Sequence, residues 1–305
     1  MIAYVIRRIL WMVPTILVVA TLAFLLMRAA PGGPFDSERK LPPEVEKNIA
    51  AKYHYDEPLY KQYGRYIWGI SRLDLGPSLK LQGRTVKEVI AQALPYSITL
   101  GGLALGLALT LGILFGTMAA AHQNSAIDYT VMVVALAGIS IPTFVIGPLL
   151  IVIFVFVLKV LPVAQWGGPA HLIMPVITLA APFTAYIARL MRAGMLDVLS
   201  QPYIKAARAK GLREAVVIYK HALKVAILPV VTYLGPAGAQ ILTGSVVVEK
   251  IFNLPGLGRF FVNSAFNRDH TVALGVALLY CVILLVFNLL VDVSYAYIDP
   301  RIRYE

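Results

Sequence analysis

Six apolar runs, near 9–29, 96–121, 130–158, 172–193, 225–248 and 271–296, constrain this chain more than any other feature. A helix needs about 20 apolar residues to cross the hydrocarbon core of a bilayer, and each run is long enough. Lipid offers the backbone no hydrogen-bonding partner, so such runs fold as helices. The predicted fold class is an all-α membrane protein with six spans. Charge agrees: 14% of the residues are charged, against about 25% in a soluble domain. The run at 9–29 follows Arg7-Arg8. It is longer than a secretory signal core and no A-x-A pattern follows it, so it is expected to stay as a span.

Lys and Arg concentrate on the cytoplasmic side of membrane proteins, which orients the spans. Arg7 and Arg8 put the amino end inside. Six crossings return the carboxyl end to the same side, where Arg301 and Arg303 agree. The expected division is 1–30 for the cytoplasmic amino end and first span, and 31–95 for an extracytoplasmic segment. A five-helix core follows over 96–296, then a cytoplasmic end over 297–305.

Between the fourth and fifth runs, 189–229 holds Arg189, Arg192, Lys205, Arg208, Lys210, Arg213, Lys220 and Lys224 against Asp197 and Glu214. That is +6 of the chain's +11. Charge alone makes this a cytoplasmic loop, centred at about 194–224. Ser200 is suited to cap a helix whose first turn takes Pro202. Gly211 is suited to end it in a left-handed conformation. The expectation is a short helix across the cytoplasmic face, with a small Ala206-Ala207 surface and a basic rim.

The outer segment carries Asp36, Glu38, Glu44, Glu46, Asp56, Glu57, Asp74 and Glu88 among its bases. It is long enough to escape the charge rule. Three short helices are expected. One opens at Pro42-Pro43 with Val45, Ile49 and Tyr53 on a face. One opens at Asp56 and Pro58 with Leu59, Tyr63, Ile67 and Ile70. One is capped by Thr85 and Glu88 and carries Val86, Val89, Ile90 and Ala93. Two readings stay open for the segment: a docking surface for an extracytoplasmic partner, or a packing cap over the bundle. His54 reads as a surface or packing residue.

Within the spans, Gly102, Gly106, Gly112 and Gly116 form two G-x-x-x-G pairs that let helices approach closely. Gly138, Ser140, Pro142, Gly147 and Pro148 break the third run, either to line a pathway or to kink a packed helix. The fifth run is the most polar and interrupted. Its Thr232, Tyr233, Gln240, Thr243 and Ser245 are the candidate lining of a translocation path, because polar residues at membrane depth face an interior or a cavity. Asn288 and Asp292 fit paired structural roles near the inner boundary.

Several chemistries find no support. Cys281 stands alone in an apolar run, so there is no disulfide framework. No G-x-x-x-x-G-K-[ST], H-E-x-x-H or G-x-S-x-G is present. The five histidines form no cluster in the runs, so no metal site is expected. No basic tract interleaved with aromatics points to nucleic acid. An ion-driven secondary transporter needs acids at mid-membrane, and Asp128, Asp197, Asp269 and Asp292 all fall at or near run ends.

At Lys205–Leu212 the chain resembles the EAA loop of ABC-importer membrane subunits. Lys205 stands where that family usually has Glu, and the Leu-Pro that should follow Gly211 comes late, at Leu228-Pro229. Both departures fit the peptide-importing branch. The resemblance extends to the amino end, to ISIPTFVIGPLL at 139–150, to VVVEKIFNLPGLGRFFVNSAFNRD at 246–269 and to NLLVDVSYAYIDPRIRY at 288–304. LPPEVEKNIAAKYHYDEPLYKQY at 41–63 is more similar to oligopeptide members than to dipeptide, glutathione or nickel members. The resemblance implies a type I ABC-importer fold in the bacterial cytoplasmic membrane. It implies a homologous second membrane subunit, two ATP-binding subunits that hold ATP and Mg, and an extracytoplasmic peptide-binding protein. This chain would do no catalysis and hold no cofactor. Lys205, Ala206, Ala207, Arg208, Gly211 and Leu212 would dock on an ATP-binding subunit.

Overall fold

A computed structural model describes residues 2–29, 56–81, 83–163 and 165–298, with side chains described for these apart from 2–3, 243–245 and 295–298. The helix expected at Pro42–Tyr53, His54, and the terminal Arg301 and Arg303 lie outside the described residues. The elements are α1 (Ile2–Ala29), α2 (Leu59–Ser71), α3 (Val86–Ala121), α4 (Ala126–Ser140), α5 (Thr143–Ile151), α6 (Pro169–Leu199), α7 (Pro202–Ala209), α8 (Leu228–Ile251), α9 (Leu257–Phe266) and α10 (His270–Ile298). A π-helical turn, Val152–Val157, extends α5, and short helical turns join Glu214 to Ala226. Among the described residues the one β-bridge pairs Pro77 with Thr85.

Helices α1, α3, α6, α8 and α10 are each long and apolar enough to cross a membrane. The sixth crossing is the pair α4 and α5, which meet at 104°. Pro142 causes the break. It has no N–H to donate, and it holds Ile141 extended, with φ −85° and ψ 118°.

Two expectations are corrected. Thr85 and Glu88 do form a capping box: Glu88 N–H donates to Thr85 Oγ1 at 3.2 Å and Thr85 N–H to Glu88 Oε2 at 2.9 Å. The helix they start is no separate outer helix, however. It runs on through Pro95 as α3, because Val86, Val89 and Ala93 are held against Leu257, Val272 and Val276 in a buried cluster. The fifth span, expected to be broken, is one continuous helix through Pro236. Its glycines serve close packing: a Cβ on Gly238 would lie 2.4 Å from the Phe287 ring of α10.

Polar anchors fix which ends lie together. Arg8 of α1 pairs with Asp292 of α10 at 2.6 Å, which gives Asp292 the structural role its position suggested. Asp128 at the start of α4 pairs with Arg192 near the end of α6 at 2.6 Å. The chain from Asp128 to Pro169 therefore travels the length of α6, so α4 and α5 together make one crossing despite the bend. At the opposite face Glu249, 1% exposed, accepts from Ser97 Oγ of α3 at 2.7 Å and from the backbone N–H groups of Gly258 and Arg259 at 2.9 and 3.3 Å. It thereby satisfies the first turn of α9. Asp269, also buried, accepts from Ser78 Oγ, from Leu79 N–H at 3.2 Å and from Thr271 Oγ1 at 2.9 Å. That ties the loop before α3 to the start of α10. One face of the bundle thus holds the start of α1, the end of α10 and α7; the other holds α2, the 76–85 loop and α9.

Candidate functional site

The α7 helix is eight residues long, and its sequence decides how it sits. Gln201, not Ser200, is its N-cap residue. Ser200 closes α6 instead, with Oγ donating to Asp197 O at 2.8 Å. Pro202 occupies the first turn as expected. Ile204 is fully buried in the main core, with Ala207 one turn on packed partly against the same core. That face anchors α7. Lys205, Ala206 and Arg208 are exposed, as are Gly211 and Leu212 beyond the helix. Gly211 adopts φ +75°, the conformation expected of it, and a Cβ there would meet nothing within 4 Å. A side chain at this position would cost backbone strain alone. Arg208 donates to both carboxylate oxygens of Glu214, at 3.1 and 2.6 Å, and holds that carboxyl below the usual carboxylate range. The pair links the end of α7 to the turn that follows it.

The second candidate region is the open face of α8. Thr232, Pro236 and Gln240 are exposed at four-residue spacing, with Tyr233 beside them half-buried. They form one stripe along the helix. Thr243 and Ser245 lie further along α8, among the residues whose side chains are not described. Tyr233 and Gln240 line a cavity of about 290 Å³ with Ile139, Thr143, Leu179, Pro182, Phe183 and Tyr186. Ile139 and Thr143, which flank the break between α4 and α5, thus share a cavity with the α8 stripe, although none of Gly138, Ser140, Pro142, Gly147 and Pro148 lines it. Tyr186 of α6 packs on Tyr233, with ring centroids 4.4 Å apart and planes at 33°. The lining offers hydroxyls and an amide.

Sequence reasoning missed Tyr186, for which no pattern signal exists. It also missed Glu249 and its partner Ser97, and the Asp128–Arg192 pair. Arg192 was discoverable as a cation inside an otherwise apolar helix, where a partner is expected.

With this geometry in hand, the comparisons assign the class. Residues 112–304 match the family described as the binding-protein-dependent transport system inner membrane component. The chain belongs to this family: it is a multi-pass inner-membrane permease subunit, working with ATP-binding and substrate-binding proteins. Within the class, it aligns end to end with permeases of peptide transport systems. It is 48% identical over 306 residues to the oligopeptide transport system permease protein OppB of Haemophilus influenzae, covering 100% of both chains. It is 45% identical to that of Escherichia coli K12, again over 100% of both. It is also 45% identical over 300 residues to the dipeptide transport system permease protein DppB of Bacillus subtilis, covering 98% of this chain and 97% of that one. A solved amino acid ABC transporter shares the fold, with a TM-score of 0.51 and 23% identity over 69% of this chain and 94% of the other.

Proposed function

We propose that this chain is one half of the channel of an ATP-driven oligopeptide importer. It pairs with a homologous second membrane subunit, two cytoplasmic ATP-binding subunits and an extracytoplasmic peptide-binding protein. The observation that carries the reading is full-length identity to two permeases named for oligopeptides. ATP and Mg are held by the partner subunits, since this sequence has no phosphate-binding loop. The exposed side of α7 receives the push of the ATP-binding subunits. The α8 stripe and the 290 Å³ cavity face the peptide, where neutral hydroxyls and an amide suit a hydrated backbone of variable sequence. Deleting this chain should abolish growth on tri- to pentapeptides as sole source of a required amino acid and spare growth on free amino acids. The dipeptide reading, which the Bacillus subtilis relative favours, predicts loss on dipeptides alone. A fall in nickel-dependent enzyme activity with intact peptide growth would transfer the chain to the nickel branch.

The face bearing α7 is proposed to be cytoplasmic, with both termini on it. A periplasm-activated phosphatase fused after Lys61 should be active and one fused after Lys210 silent. The reverse pattern inverts the topology.

The coupling assignment makes a residue-level forecast. Ala206→Asp places a charge on the exposed side of α7 and should leave the chain's thermal stability unchanged while the ATP-binding subunits no longer co-purify. Ala207→Asp faces the chain's own core, so it should lower stability as well. Co-purification of ATP-binding subunits with Ala206→Asp at the native level would remove α7 as the coupling element.

A further inference from the structure

We infer that α2 is seated in the bilayer at the Ala29 end of α1, with its open face against anionic phospholipid. The inference depends on the chain spanning a membrane and is independent of its cargo. Thr21 Oγ1 and Tyr63 Oη are 2.8 Å apart. Phe24 packs on the Tyr63 and Tyr66 rings at 5.5 and 5.6 Å. Arg7-Arg8 and Arg28 bracket the apolar part of α1, and about 20 helical residues at 1.5 Å each span about 30 Å, the thickness of the hydrocarbon core. Those arginines mark its two boundaries. Thr21 and Phe24 then lie about 10 and 6 Å inside the boundary at Arg28, by the same rise per residue. A helix whose side chains reach them lies at the headgroup and upper acyl level, not out in the water.

The open face of α2 has the composition that this level selects. Tyr60 and Trp68 are 72% and 60% exposed, and Leu59 and Leu73 at the two ends are 60% and 74% exposed. In water such a surface would be a liability. At the interface, Trp and Tyr are the favoured residues and Leu enters the acyl region. Lys61 shares the exposed face, and the Arg72 guanidinium lies 4.5 Å from the Trp68 ring centroid. Arg72 thus sits on an aromatic anchor and Lys61 next to Tyr60 in the helix, where both can meet lipid phosphates. A protein partner docking from the water would not require these aromatics at that depth.

The test uses the full-length chain in nanodiscs, with Trp11 and Trp166 replaced by Phe so that Trp68 is the reporter. Lipid brominated in the upper acyl chain should quench Trp68 far more than aqueous iodide does. Brominated phosphatidylglycerol should quench better than brominated phosphatidylcholine in mixed discs, and Lys61→Gln with Arg72→Gln should remove that preference, at about fivefold in lipid enrichment per cation. Iodide quenching with no effect of brominated lipid would overturn the inference and return α2 to an aqueous docking surface. Equal quenching by both lipids would overturn the anionic part.

Discussion

Valine at Gly116 should prevent the chain from accumulating as a folded protein, whereas valine at Gly106 should leave its fold intact. Both positions belong to G-x-x-x-G pairs on α3, so the sequence treats them alike. The structure separates them. A Cβ on Gly116 would lie 2.5 Å from Ala188 O and 2.6 Å from Met191 Cβ, and one on Gly112 would lie 2.6 Å from Ile187. At Gly116 the obstruction includes the α6 backbone, which cannot swing aside as a side chain end can. A Cβ on Gly106 or Gly102 would meet nothing within 4 Å. In a bilayer, helix association rests on such close van der Waals packing. Overpacking a rigid site costs about 1–3 kcal/mol and occasionally more; a branched side chain pressed against backbone belongs at the upper end. Melting and size-exclusion behaviour of fluorescent fusions would measure it. Equal behaviour of the Gly106 and Gly116 variants would show that the α3–α6 contact does not hold the bundle together.

The contrast marks what the sequence can and cannot convey. Hydrophobic length located all six crossings, because the backbone's need for internal hydrogen bonds at that depth leaves no alternative fold. The Thr85–Glu88 box and Gly211 were legible because each is local: the residues involved are within three positions, or the effect is one φ angle. Which glycines touch was not legible, since it depends on the rotation of α3 against α6. The same holds for α7. A short helix there was legible from Pro202 and Gly211, but the burial of Ile204 and the inward turn of Ala207 depend on what lies beneath it. Glu249 was overlooked because its partners, Ser97 and the first turn of α9, come from elements 152 and about nine residues away. Continuity at Pro95 and Pro236 reversed a local rule: both helices run on through the proline.

Removing Arg192 alone should cost more than removing it together with Asp128. The Asp128 side chain is 2% exposed and that of Arg192 26%. The guanidinium donates to both carboxylate oxygens, at 2.6 and 2.7 Å, and Asn124 N–H adds a third bond at 3.0 Å. Arg192→Met leaves a buried carboxylate without its cation, which costs about 3–5 kcal/mol. Asp128→Asn with Arg192→Met removes the charge while an amide oxygen can still accept from Asn124, so the double variant should regain most of that loss. Arg192→Lys should fall between, because an ammonium cannot reproduce the two-pronged contact. Thermal unfolding of the parent chain, Asp128→Asn, Arg192→Met and the double variant in one detergent gives the coupling energy directly. The pair also joins the start of α4 to the last turns of α6, from which α7 follows after Leu199. A push on α7 would therefore move α4 with α6, and with α4 the Ile139 side of the cavity beside Tyr233. If the single and double variants lose the same stability, the pair behaves as a surface contact and cannot serve as that link.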